Sequence, residues 1–168
     1  KLWTGEVPFD SPEVVKSAEI LGKMLEYIND THSSLEWQDA SELVASGEAA
    51  MNIMGDWAEG YFQSKDLTPE EDYGWVPTPG TEGMFMVVDD GFGLPKGAKN
   101  EEAVEKFLTY VGSLDAQDTF NPIKGSVPTR IDADESKYGV YGQDAISRFK
   151  EADETDGIVH SVFHGSAA

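Results

Sequence analysis

Four side chains of the 168-residue chain are of types that hold a polyol without reacting with it. Trp57 falls where a strand pattern turns into a helix pattern, and its flat apolar face suits the C–H side of a sugar ring. Asp90, at a strand end, offers two acceptor oxygens to a pair of hydroxyls, and Lys124, in a loop braced by Pro122 and Pro128, offers donors. His164, beside Gly165, has a ring that stacks or donates. Each also has a plainer reading: a lone Trp is commonly a core residue, and a lone Lys a solvated surface group.

Reactive chemistry finds less support. His160 and His164 are spaced i, i+4, but no Glu follows His160 as in a zincin helix and no third ligand is evident. Asp132-Ala133-Asp134-Glu135-Ser136 opens like a calcium loop, yet Lys137 stands where an EF-hand needs Gly, so a solvated acidic loop is the better reading. No phosphate-cradling glycine loop and no nucleophile elbow occur. Asp89 and Asp90 are the acids a glycosidase would need, but neighbours on a strand point to opposite faces unless the strand has ended. An acidic carbohydrate-active enzyme fragment built on one of them is the rival to a binding protein. No cofactor or metal is expected.

Composition narrows the partners. Asp and Glu number 32 against 12 Lys and Arg, a formal charge of −20 spread from end to end, which repels nucleic acid and anionic lipid surfaces. With 39% hydrophobic and 11% aromatic residues the chain folds and is no acidic tail. Evenly spread acids with little lysine suit a salty solvent, where self-repulsion is screened over about 3 Å at 1 M salt. A salt-adapted source is therefore expected. The absence of cysteine excludes disulfides and thiolate chemistry, and no apolar run is long enough to span a membrane. The length suits a single domain over residues 1–168. The start at Lys1 implies a removed leader or excision from something longer.

The elements that would carry these side chains follow from periodicity. Asp10-Ser11-Pro12-Glu13 reads as a helix start, and Val14, Ala18, Leu21, Leu25 and Ile28 make one stripe expected to be buried, ending near Asn29-Asp30. Asn29-Asp30-Thr31 matches the glycosylation sequon, although a solvated helix end explains it more simply. A short helix over 38–47 closes on Gly47. Ala49–Gly55 reads as a buried strand delivering Trp57 to the mouth of a helix, Tyr73–Val76 as a short strand, and Met84–Asp90 as a second buried strand. A helix from Asn100 to about Phe120 has a soft point at Gly112, residues 121–130 read as loop, and a last helix spans about Tyr141 to Ala152 before a partly extended end.

Taken together, Gly47–Ala58 with its Gly55-Asp56-Trp57, then Asp90-Gly91-Phe92-Gly93-Leu94-Pro95, then Lys124-Gly125-Ser126-Val127-Pro128-Thr129-Arg130 resemble the family 1 extracellular solute-binding proteins of ABC sugar importers, above all the glucose- and mannose-binding members. The resemblance covers nearly the whole chain. It implies an α/β fold of the two-lobed, type II periplasmic-binding-protein kind, with this chain as the helix-rich C-terminal lobe carrying a small sheet and the N-terminal lobe absent. It further implies a non-enzymatic protein, extracellular or periplasmic and membrane-anchored at full length, that captures a monosaccharide between lobes for the permease subunits. By the same resemblance Trp57 contacts the sugar, while Asp90, Lys124 and His164 bind hydroxyls or the ring. Asp89 competes with Asp90, and His160 with His164, for the matching position.

Overall fold

The computed structural model describes Leu2 and residues 5–161, so His164 lies outside the described residues. The chain divides into two compact units, residues 1–40 and 41–168.

In the first unit, helix α1 (Pro12–Met24) starts where the sequence indicates. Pro12 sits in the first turn, and the Ser11 hydroxyl accepts the Val14 N–H at 3.4 Å. The helix stops several residues before Asn29-Asp30. The Glu26 and Tyr27 N–H groups bond back three residues to Lys23 and Met24, which tightens the last turn and ends it. The expected buried stripe is not buried: Ala18, Leu21, Leu25 and Ile28 are exposed and Val14 is only half-buried. A unit of 40 residues is at the lower limit for building a core of its own, about 40 residues. A 3-10 turn, His32–Ser34, follows, and the division between the units falls within helix α2 (Trp37–Ala45), with Gly47 beyond α2 at φ 76° as the left-handed stop.

The second unit contains α3 (Trp57–Gln63), β1 (Phe85–Val87), α4 (Glu101–Val111), α5 (Leu114–Lys124), α6 (Val140–Glu154) and β2 (Ile158–His160). The strands pair in parallel, with Phe85, Met86 and Val87 opposite Ile158, Val159 and His160. Helix α6 packs on both strands, its Phe149 ring edge-on to Phe85 at 5.5 Å. Buried apolar side chains are few and mostly small: Ala58, Phe62, Ala116, Tyr138, Ala145, Ile146 and Ala152.

Several expected elements change form. Ala49–Gly55 has no regular structure and bends at Ala50; Met51 and Ile53 are exposed, Asn52 and Met54 half-buried, and it joins no sheet among the described residues. Extended backbone becomes a strand only where a neighbour takes its N–H and C=O groups. Tyr73–Val76 is reduced to one bridge between Tyr73 and Pro69 for the same reason. Met84–Asp90 forms a strand over three residues only, and Met84 and Met86 are exposed rather than buried. The expected helix from Asn100 to Phe120 is two helices: Gly112 ends α4, and the Ser113 hydroxyl accepts the Ala116 N–H at 3.3 Å to start α5. Helix α5 then continues through Pro122 to Lys124, because Pro122 removes only its own N–H while the Asn121 carbonyl still accepts from Gly125 at 2.8 Å.

A glycine test follows from the packing of α3 on α5. A Cβ at Gly60 would stand 2.6 Å from the Lys124 carbonyl oxygen, whereas one at Gly22, inside α1, would meet nothing within 4 Å. Gly60→Ala is expected to lower stability by about 1–3 kcal/mol. Gly22→Ala is expected to raise it by about 0.5–1 kcal/mol. Urea midpoints of the two variants, read at unchanged slope, check both signs.

Candidate functional site

The start of α3 is fastened to the end of α5, which ties together the backbones that carry Trp57 and Lys124. Gly125 caps α5 at φ 81°, and a Cβ there would stand 2.7 Å from the Gly60 nitrogen and 2.9 Å from the Asp56 carbonyl oxygen. Backbone therefore lies directly on backbone at this crossing. The Asp56 carboxylate accepts the Val127 N–H at 3.3 Å. From the other side, the Asn121 side-chain oxygen accepts the Ser126 hydroxyl at 2.7 Å, and the Asn121 amide donates to Gln117 Oε1 at 2.8 Å. That Gln117 oxygen also takes the Thr129 N–H and hydroxyl, each at 3.1 Å. The turn after Lys124 is held by side chains chosen for that purpose, rather than by its prolines.

Lys124 is consequently the last residue of a helix and not part of a loop. Its Nζ lies 3.2 Å from Asp90 Oδ2, with the lysine side chain 30% and the aspartate 75% exposed. Asp89 points to a different partner, its Oδ2 being 3.8 Å from His160 Nδ1. Strand β1 has ended at Val87, yet the two acids still diverge. They are not the facing pair that glycoside hydrolysis requires. Trp57 is the first residue of α3 and half-buried; a Cβ on Gly55 would stand 2.2 Å from its ring, so Gly55 gives the indole the room it occupies. Trp57, Asp90 and Lys124 thus sit on three elements joined by the α3–α5 crossing and one ion pair.

The electrostatics single out Asp56. Burial pushes its carboxyl above the ordinary range, and the Val127 N–H bond and the Lys124 charge offset this only in part. Glu59, one turn on and 5% exposed, accepts from the Tyr73 hydroxyl and, at 3.1 Å, from Gln63. Burial and the Glu59 carboxylate drive the Tyr73 hydroxyl far above its usual range; Tyr141 is raised by burial and by Asp56, Glu59 and Asp144. Asp144 is itself subject to burial, which raises it, but hydrogen bonds from Arg148 and Trp75 bring it below the ordinary range. Asp132 and Asp134, which open like a calcium loop, are engaged by Arg130 and by Ser136. Among the described residues no group of three potential ligands is arranged for a metal. The open groove along α4, about 470 Å3 and lined by Glu102, Glu105, Lys106, Thr109, Tyr110 and Ser113, includes none of the expected site residues.

Sequence reasoning missed Asp56, Gly60, Asn121 and Gly125. Asp56 reads as an acid favouring a helix N-terminus, but its side chain makes no capping bond to α3 and reaches the Val127 N–H instead. The i, i+4 spacing of Gln117 and Asn121 was the available signal for a polar helix face.

Comparison with known proteins adds the family. Its sequence profile, that of the bacterial extracellular solute-binding proteins, matches residues 1–118. The chain belongs to this family. Trp57 and Asp90 lie inside the matched region and Lys124 beyond it. Over 167 residues the chain is 40% identical to an ABC transporter extracellular-binding protein of Pyrococcus horikoshii, covering 99% of this chain and 37% of that protein. A probable sugar-binding periplasmic protein of Mesorhizobium japonicum is 32% identical over 159 residues, 94% of this chain and 38% of that protein. A xylose/arabinose-binding protein of Haloferax volcanii is 32% identical over 160 residues, 94% of this chain and 34% of that protein. The chain therefore spans little more than a third of the length of these relatives. The family fold is the type II periplasmic-binding fold, and a helix-rich chain with a two-stranded sheet is part of a lobe of it. The family and these relatives are binding proteins, not enzymes.

Asp56 yields a test with a defined sign. A carboxyl raised in the folded state binds its proton more tightly there, so its contribution is full below the ordinary carboxyl range and declines as pH rises through the raised value. Asp56→Asn keeps an acceptor for Val127 without the buried charge, and its stability is expected to match or exceed that of the parent at neutral pH while losing the parent's decline as pH rises above the ordinary carboxyl range. Asp56→Ala leaves the Val127 N–H unpaired and is expected to lose about 1–3 kcal/mol below the ordinary carboxyl range, a deficit that shrinks as pH rises because the buried charge is removed with it. Denaturant titrations of the three proteins across pH check this.

Proposed function

We propose that the chain is the C-terminal part of a two-lobed sugar receptor, which captures a monosaccharide in the interlobe cleft and delivers it to the permease subunits of an ABC importer. The observation that carries this is the Lys124–Asp90 pair beside the helix led by Trp57. One sugar hydroxyl can donate to the Asp90 carboxylate while accepting from the Lys124 ammonium, so an ion pair at 3.2 Å presets both halves of a polyol contact. Replacing water around a hydroxyl requires such charged, placed partners, and an aromatic face adds apolar contact with no further polar group to satisfy.

In this reading Asp90, not Asp89, takes the hydroxyl role, because Asp90 shares its charge with Lys124 while Asp89 faces His160. His164 is the proposed ring contact from the chain's end. The ligand is glucose or a related monosaccharide, on the strength of the glucose- and mannose-type motifs; the Haloferax relative, named for xylose and arabinose, makes pentoses the sugars to test against it. We further propose that the full-length protein is anchored at the outer membrane–solvent boundary of its cell and works in high salt, as the charge of −20 suggests.

Isothermal titration of the full-length protein in molar salt, with glucose, mannose, galactose, xylose and arabinose, tests the proposal. One sugar is expected to bind saturably. Trp57→Ala, Asp90→Asn and Lys124→Met are each expected to weaken it at least about tenfold, roughly 1.4 kcal/mol. The Asp90→Asn, Lys124→Met double variant is expected to lose less than the sum of the two single losses, since the pair acts as a unit. Unchanged affinity in Trp57→Ala would remove the platform role, and additive losses would separate Asp90 from Lys124.

A further inference from the structure

We propose that Asn29 is an acceptor for an N-linked glycan. The chain has four asparagines, and only Asn29 is followed two residues later by Ser or Thr, in Asn29-Asp30-Thr31. Asn52 and Asn121 use their side-chain amides in internal hydrogen bonds, to Ser41 and to Gln117. Asn100 precedes α4 but is followed by Glu101-Glu102. Asn29 is exposed, and its carboxamide makes no hydrogen bond among the described residues.

The early end of α1 is what makes the motif usable. Residues two apart on a helix do not face each other, so a helix running through Asn29 and Thr31 would keep the carboxamide and the hydroxyl on different faces. Helix α1 ends at Met24, however, and residues 25–31 are non-helical, with turns and bends on both sides of Asn29. In this non-helical stretch both side chains are exposed, so the carboxamide and the hydroxyl are open to a transferase. The Asn29 carbonyl is occupied by the His32 N–H at 3.0 Å and the His32 ring at 2.9 Å, which fixes the turn through the main chain and leaves the carboxamide as the free polar group. Thr31 is likewise exposed, its carbonyl taken by Ser34 and its hydroxyl unbonded. Family membership places the protein outside the cytoplasmic membrane, where such transfer occurs.

The donor is a lipid-phosphate-linked oligosaccharide. The Asn29 carboxamide nitrogen forms a bond to the anomeric carbon and gives up one proton, the carbon–oxygen bond to the phosphate breaks, and the lipid phosphate leaves with that electron pair. No oxidant or reductant is needed.

The test is peptide mass spectrometry on the full-length protein isolated from its native cells. Tryptic cleavage at Lys23 and Lys65 isolates Asn29 in one peptide. That peptide is expected to carry added sugar mass, retained in Thr31→Ser and lost in both Asn29→Gln and Thr31→Ala. All these variants are expected to keep the sugar affinity of the parent, which controls for folding. Recovery of the peptide at its bare mass alone, or sugar mass persisting in Asn29→Gln or Thr31→Ala, would overturn the assignment.

Discussion

The described structure depends on one close contact, the backbone of α3 against the end of α5 at Gly60 and Gly125. Two helices can approach this closely only where neither carries a side chain. Everything that places Trp57 relative to Lys124 passes through that crossing, since the two residues are remote in sequence. The crossing also explains Asp56. A turn pressed against the first turn of a helix has N–H groups turned away from water, and the Asp56 carboxylate supplies the acceptor that Val127 would otherwise lack.

The interior around this crossing is polar to a degree unusual for its size. Glu59, Gln117, Asp118 and Asn121 are at least as buried as Ala116. Asp118 is held by Lys137 at 3.0 Å and by the Asp134 N–H at 3.2 Å. Such a network adds little net stability compared with an apolar core of equal volume, but it tolerates few alternative arrangements. Helix α5 is its centre: one face presents Gln117 and Asn121 to the turn after Lys124, and Asp118 anchors the loop before α6. A buried carboxyl such as Asp56, held above its ordinary pKa, works against stability at neutral pH. Groups retained at such a cost are concentrated at functional sites.

What the sequence disclosed and what it hid divide along a physical line. Helix starts were legible, because a Ser11-Pro12 cap acts within one turn and needs no distant partner. The reversal at Gly112 was visible as a weak point, but the Ser113 cap turned it into a break. Strands were overread: Ala49–Gly55 has the apolar pattern of a buried strand, yet pairing depends on a neighbour that periodicity alone does not reveal. The exposed stripe of α1 fails in the same way, since the apolar face is written in the sequence and its covering surface is not. Trp57, Asp90 and Lys124 stood out as candidates by type and motif. Their convergence did not, because it rests on Gly60, Asn121 and Gly125, whose roles appear only once α3 and α5 meet.

The charge of the chain and the proposed neutrality of its ligand belong together. A surface carrying −20 would steer a charged solute strongly, by attraction or repulsion, and that steering would change with every change in salt. An uncharged sugar feels none of it. In the proposed receptor, recognition would reduce to contact: an aromatic face, and hydroxyls bridging an ion pair whose Lys124 member is only 30% exposed and therefore screened less than its surroundings. With 12 cationic side chains among 32 acids, the placement of one ammonium against Asp90 and near Asp56 is a matter of fold rather than abundance. On that proposal the acidic skin can be adjusted to the solvent while Trp57, Asp90 and Lys124 stay as they are, because long-range steering and short-range contact act over different distances.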